Sequence, residues 1–300
     1  MNFKTLSLLF AAAAVIAGCN QQPTENTQTY TSGCTQILVD ESLAPIVEDQ
    51  LYVFESSYPQ AKIQLVNKPE NELLKLFLND SIRIAVLSRE LKPEEAAFYE
   101  RKKIKVRVNR FAIDGVALIT HNSTADTSVN VADVIGVMQG KPGKIKKLIF
   151  DNPNSSTVRY LKELAGIKQL PTAGVYALKS NPDVIKYVRL NPGTVGVVGI
   201  NWIEQPTEEL EPVVADLKVL SVKNLPGKPG SDGYYRPSQN DIATGMYPLT
   251  RNLYIINCQG RAGLGTGFAS FLASDRGQRI VLKSGLLPDS IPPREVLIRK

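Results

Sequence analysis

Arg83-Ile84-Ala85-Val86-Leu87-Ser88-Arg89 is a short apolar run that ends in a hydroxyl and a guanidinium. Four apolar residues without polar alternation fit a strand buried on both faces. Upstream, Thr35-Gln36-Ile37-Leu38-Val39 and Lys62-Ile63-Gln64-Leu65-Val66 predict two more strands, separated by a helix over 44–57. Pro69 opens a helix to about Asn79, with Leu73, Leu74 and Phe77 on one face. Downstream, strands are expected at 83–87, 103–109, 111–119, 146–150 and 194–200, and an extended piece at 214–222. Helices are expected at 131–138, from Ser155 or Ser156 to Ala165, and at 183–190. Residues 223–246 hold Pro, Gly, Tyr234 and Tyr235 and predict a long edge loop, usually functional or mobile. A strand at 253–256 and helices at 268–272 and 278–282 close the chain. Strands alternating with helices predict an α/β fold: an open, largely parallel sheet with helices on both faces.

Ligands of such sheets bind beyond the carboxyl ends of the strands. Asp40-Glu41-Ser42 follows the first strand, Ser88-Arg89 the third, and Asn152-Pro153-Asn154-Ser155-Ser156-Thr157 the strand ending at Phe150. Each loop runs into a helix, where hydroxyls and unpaired backbone N–H groups together suit an anion. The same residue types are also ordinary N-caps, worth ~1 kcal/mol each. Four capping residues in a row at 154–157 exceed what one helix needs. The residues alone therefore point to an extracytoplasmic binding module for a small anionic solute.

Composition narrows the classes. The 300 residues include one histidine and three cysteines, which leave no histidine-rich metal site and no cage of four thiolates. The net charge of +6 comes without a dense basic run interleaved with aromatics, so nucleic acid is not expected as a partner. Gly260-Arg-Ala-Gly263-Leu-Gly265-Thr-Gly267 lacks the spacing of a dinucleotide loop. No nucleophile elbow is present, and no metal or other cofactor is expected. Trp202, Tyr234 and Tyr235 are candidates for a cleft rim or a lobe interface.

Residues 1–18 read as a secretory signal whose apolar stretch is too short to span a membrane. Ile16-Ala17-Gly18-Cys19 resembles the bacterial lipobox, so Cys19 is the expected lipidation site. Residues 19–33 then form a flexible tether. Cys34 and Cys258 remain, as a disulfide or as two separate thiols.

With these residues in view, the chain resembles the PstS-type phosphate-binding proteins of ABC importers, within the type 2 periplasmic-binding-protein fold. The resemblance runs from about Thr35 to Pro288. It is carried by Ile84-Ala85-Val86-Leu87-Ser88-Arg89-Glu90-Leu91, by Ser155-Ser156-Thr157 at a helix start, and by Pro192-Gly193-Thr194-Val195-Gly196-Val197-Val198. Tyr247-Pro248-Leu249-Thr250-Arg251-Asn252-Leu253-Tyr254 resembles the family's returning hinge segment.

The resemblance implies two lobes, each a mixed, mainly parallel sheet flanked by helices: 34–113 plus 252–300, and 114–251. It implies phosphate, or a similar oxyanion, held by Ser42, Ser88, Arg89, Ser155, Ser156 and Thr157, with Asn154 in the same loop. It also implies a monomeric, non-enzymatic receptor on the periplasmic or cell-surface side, membrane-anchored by its lipid and delivering to an ABC permease. A phosphate-sensing or scaffolding lipoprotein is the alternative, and a secreted hydrolase a weaker one. Two departures stand out. Some relatives carry Asp where this chain has Arg89 and Arg where it has Asp151, so Arg89 is expected to take the arginine's role, with Asp151 as a cross-cleft partner. Asn67-Lys68-Pro69-Glu70-Asn71 also lacks the family's Ser/Gly-rich turn and places Glu70 near the anion.

Overall fold

The computed structural model describes residues 28–290. The signal at 1–18, Cys19 and the tether up to residue 27 lie outside the described residues.

Eight strands form the path of one curled sheet, with two more pairing at its middle. In chain order the strands are β1 (Gly33–Asp40), β2 (Ala61–Lys68), β3 (Ile84–Leu87), β4 (Arg107–His121), β5 (Ser128–Asn130), β6 (Leu148–Phe150), β7 (Val175–Ala177), β8 (Val195–Gly199), β9 (Leu217–Val219), β10 (Ser221–Lys223), β11 (Thr250–Asn257) and β12 (Leu287–Pro288). Their order is β2-β1-β3-β11-β4-β8-β6-β7, with β9 and β12 also on β4. The outer strands pair in parallel on each side, and the pairings of β4 and β11 are antiparallel. The fold class is thus the expected mixed, mainly parallel α/β arrangement in two halves.

The long strand β4 explains how the halves join. The sequence suggests two strands at 103–109 and 111–119; the chain instead forms one long strand, whose register against β11 shifts at Phe111, between the pairs Arg110–Tyr254 and Ala112–Leu253. From Arg107 to Gly115 its partner is β11. From Val116 it turns to β8, and from Ile119 to β9. β4 leaves one half and β11 returns to it, so two strands cross between the halves side by side.

Helices cover the faces: α1 (Ala44–Ser57), α2 (Glu70–Leu78), α3 (Pro93–Arg101), α4 (Val131–Met138), α5 (Ser156–Ala165), α6 (Asn181–Leu190), α7 (Leu264–Leu272) and α8 (Asp275–Lys283). Phe54 of α1 packs edge-on against Phe268 and Phe271 of α7, with ring centroids 5.4 Å apart in both pairs. Burying a phenylalanine of this kind contributes about 1.5–3 kcal/mol. The helix α3 is not evident from the sequence, because PEEAAFYER is mostly polar and buries only Tyr99. The segment expected to be extended over 214–222 begins with the end of a helical turn (Glu211–Val214) and then splits into β9 and β10.

Cys34 and Cys258 are not bridged; both are free thiols, Cys34 exposed and Cys258 buried. The sheet order gives the reason. β3 lies between β1, which carries Cys34, and β11, which ends just before Cys258. Strands two apart are separated by ~10 Å, and a disulfide tolerates Cα atoms only ~7 Å apart.

Candidate functional site

The carboxyl ends of β1, β3, β6 and β8 face one interface between the halves. Each hands the chain to a polar turn. β1 ends at Asp40, whose Oδ1 accepts from the backbone N–H of Ser42 at 3.1 Å and from its hydroxyl at 3.0 Å. β6 is followed by Ser155, the N-cap of α5, whose Oγ accepts from Val158 N–H at 3.2 Å. Beyond that cap, Ser156 and Thr157 place two more hydroxyls in the first turn of α5, both fully buried. The Ser42 and Ser156 hydroxyls meet across the interface at 3.1 Å.

Arg251 of β11 reaches this point from the crossing strands. Its Nε donates to Asp114 Oδ2 of β4 at 2.8 Å. Its Nη1 donates to Ser156 Oγ at 2.9 Å and to Thr157 Oγ1 at 3.5 Å. The pair is sealed, with the Arg251 side chain 2% exposed and Asp114 0%. Among the described residues Nη2 has no hydrogen-bond partner, nor have Asp40 Oδ2 and both polar atoms of the Asn201 side chain. Gly199 closes the wall. A Cβ there would lie 2.6 Å from Asn201 Oδ1, 3.0 Å from Asp114 Oδ2 and 3.3 Å from Arg251 Nη2. Buried polar atoms are normally satisfied, so these unpaired donors and acceptors gathered around Arg251 make the spot, called the chamber below, a candidate place for a polar guest.

The electrostatics of the chamber follow from its burial. Burial opposes the Arg251 charge, but Asp114 and Asp40 outweigh it and hold the guanidinium firmly cationic. For Asp40 the balance falls the other way. Burial lifts its carboxyl to about 6, against the pull of Arg251 and with a push from Glu70. It can therefore carry or accept a proton near neutral pH.

A second cluster closes the rim. Glu70, 1% exposed, accepts at Oε1 from Arg89 Nε of its own half at 3.1 Å and from Arg159 Nε of the other half at 2.7 Å. Arg159 Nη2 also donates to Ser88 Oγ at 3.1 Å. The backbone N–H of Asn71 donates to Asn154 O at 3.2 Å, and the side-chain amide of Asn71 donates to Asn154 Oδ1 at 3.3 Å. The indole of Trp202 donates to Ser42 O at 2.9 Å. The halves are thus drawn together by polar contacts around the chamber.

The residues expected from sequence fall into three groups. Ser42, Ser156 and Thr157 converge on Arg251. Ser155 faces inward but is fully engaged: it caps α5 and donates to Asp151 Oδ1 at 2.7 Å. Ser88 and Asn154 belong to the rim contacts. Arg89 does not point at the hydroxyls. It makes a two-pronged pair with Glu95, both bonds 2.8 Å, and also binds Glu70 and the Glu90 carbonyl. The expected pairing of Arg89 with Asp151 is absent. Asp151 is fully buried and accepts from Ser155 and from Asn181 Nδ2 at 3.2 Å. Physically, two glutamates on Arg89's own half saturate it, Glu70 at the start of α2 and Glu95 in α3, the helix that the sequence reading does not find.

Arg251, Asp114, Asn201 and Arg159 were not expected as site residues, and Asp40 was expected only as part of the loop after β1. A signal existed for the first two. Asp114 is the one carboxylate in the apolar run 111–119 and Arg251 the one charge of β11, and opposite charges on two buried strands must pair or remain uncompensated. The register between the strands sets Arg251 directly against Asp114. His121 bonds Ser123 at the far end of β4, away from the chamber. Among the described residues no cluster of metal-ligating side chains occurs, and no helix is long and apolar enough to cross a membrane.

Comparison with known proteins adds a lineage. A family model described as a PBP superfamily domain matches residues 21–276. The phosphate-binding protein PstS of Borreliella burgdorferi is 23% identical over 95% of this chain and 98% of its own length. A substrate-binding protein of Clostridium perfringens, solved with bound phosphate, matches with a TM-score of 0.71 at 18% identity, covering 86% of this chain and 100% of that one. An ABC-type phosphate transport receptor of Vibrio cholerae matches with a TM-score of 0.63 at 16% identity, covering 85% and 100%. The two solved structures share the fold; the match of the family model across most of the chain shows that this protein belongs to the PBP superfamily.

Proposed function

We propose that the chamber between the halves captures a small oxyanion, phosphate or a close relative of it, for delivery to an ABC importer. The observation that carries this reading is the unpaired Nη2 of the buried Arg251, beside the hydroxyls of Ser42, Ser156 and Thr157. An oxyanion placed there receives a charge-assisted bond from the guanidinium and weaker bonds from hydroxyls, at the positive end of α5. Asp40 Oδ2, an acceptor with no partner, suits an anion that keeps a proton, as phosphate does and sulfate does not. The names of the relatives, PstS and phosphate transport receptor, agree with this choice.

The lobes in this reading are 34–113 plus 252–300, and 114–251, hinged where β4 and β11 cross. Ligand binding favours the closed form, held by Arg159 on Glu70 and Ser88, and the permease reads that form. Cys19 carries a lipid that keeps the monomeric receptor at the membrane on the extracytoplasmic side, and the protein transfers its ligand without chemistry. Calorimetric titration with phosphate, arsenate and sulfate tests the proposal. Heat is expected from phosphate and arsenate and not from sulfate; no heat from any of the three refutes an oxyanion receptor.

A further inference from the structure

A groove of about 590 Å³ opens beside the chamber and is walled by both halves. Glu41, Glu48 and Asp49 come from the turn after β1 and from α1; Asn181 begins α6, and Trp202 follows β8. The chain as a whole is +6, yet among the described residues no lysine or arginine lines this groove. Burial raises the Glu41 carboxyl to about 7, helped by Asp151, Asp40 and Glu72 and opposed only by Lys68. The local field is therefore short of positive charge.

Two buried acceptors in the groove have no donor among the described residues. Asn181 is 1% exposed and its Oδ1 has no partner. Its orientation is set by Nδ2, which donates to Asp151 Oδ2 at 3.2 Å. Glu41 Oε1 is buried and likewise unpartnered. Leaving such oxygens dry and unpaired is unfavourable, and the partner they lack is a donor, best a cationic one. The groove and the chamber are also one residue apart. Glu41 lies between Asp40 and Ser42 in the chain, Asn181 holds Asp151, and Trp202 bonds the Ser42 carbonyl.

Resting on the oxyanion reading above, we infer that the ligand is a phosphate monoester or phosphonate bearing an ammonium group, its anionic head on Arg251 and its amine among Glu41, Asp49 and Asn181. Inorganic phosphate fills the chamber alone; the amine reaches the groove and contacts both halves, so it adds affinity to the closed form.

The experiment compares O-phosphoethanolamine, ethyl phosphate and inorganic phosphate by calorimetry, on the wild type, Asp49→Asn and the double variant Glu41→Gln/Asp49→Asn. Phosphoethanolamine is expected to bind at least ~10-fold tighter than ethyl phosphate, a step of about 1.4 kcal/mol. The preference should shrink in Asp49→Asn and fall within about twofold in the double variant. The affinity ratio within one protein does not depend on how much of a variant is folded, and the exposed Asp49 serves alone if the double variant folds poorly. Equal affinity for the two esters, with phosphate still bound, overturns the amine subsite and leaves the oxyanion receptor standing. A preference that survives both substitutions overturns the groove as its origin. No heat from any of the three compounds overturns both readings.

Discussion

Arg89 and Arg251 are both partly or wholly buried between the halves, and they do opposite things. Every nitrogen of Arg89 is engaged, by Glu70, Glu95 and a backbone carbonyl. Arg251 is held by one carboxylate and two hydroxyls, with one nitrogen unpaired. Arg89 stands where a loop residue should meet an anion; Arg251 stands inside a strand. The difference teaches that a binding arginine is defined by its unpaired donors in a dry site, not by its place after a strand. Glutamates on its own half saturate Arg89, while Asp114 engages only Nε of Arg251 and leaves Nη2 without a partner among the described residues.

The comparison breaks most sharply at Arg251. Arg251→Ala leaves Asp114 buried without its partner, which should cost about 3–5 kcal/mol of stability and abolish the heat of phosphate binding. Arg251→Lys keeps a charge but loses the fork, so a folded protein with affinity lowered at least ~100-fold is expected. Near-normal phosphate affinity in Arg251→Lys would move the site elsewhere.

Asp40 sharpens the same contrast through pH. Its folded-state value of about 6 exceeds the ordinary 3.8, so the folded protein holds this proton more tightly than the unfolded chain does. The favourable contribution is complete below about pH 4 and is lost as pH rises through 6, up to roughly 3 kcal/mol for a shift of this size. Asp40→Asn removes that loss. Urea unfolding should show the variant more stable than wild type at pH 8 and no better near pH 4; an equal gap at both values would mean that Asp40 is not buried as a charge.

Arg89→Ala is expected to act on the rim cluster alone. Arg159 still satisfies Glu70 from the other half, so a loss of about 1–3 kcal/mol is expected in thermal or denaturant unfolding, with phosphate affinity changed less than about tenfold. Loss of all binding in a folded Arg89→Ala protein would restore Arg89 to the site. The smallest effect is at the cysteines. Because Cys34 and Cys258 are separate thiols, a reductant should leave the midpoint of thermal unfolding unchanged, and Cys34→Ser should match wild type. A reductant-dependent fall in the midpoint would instead reveal a bridge.

Much of the fold was legible because periodicity is local. The helices 44–57 and 131–138 coincide with the structure, since their apolar spacing and their start signals (Pro45 near the first turn, Asn130 before Val131) lie within the segments. The helix Pro93–Arg101 was not legible, as its stability comes from Tyr99 packing on Phe77 rather than from an apolar stripe. The hydroxyls of Ser42, Ser156 and Thr157 could be found because they follow strands and begin helical turns. The chamber's charges could not be assigned in the same way, because Arg251 and Asp114 are 137 residues apart and only strand register joins them.

The amino-acid sequence by itself determined the alternation of strands and helices, and with it the hydroxyl-bearing loops that run from strand ends into helix starts; both follow from patterns a few residues long. Which arginine faces those loops was decided only by the tertiary structure. Pairing of β4 with β11 places Arg251 at the interface, and packing of α2 and α3 supplies the glutamates that engage Arg89. A charge buried between two halves takes its role from the partners that burial leaves it, and those partners come from distant segments.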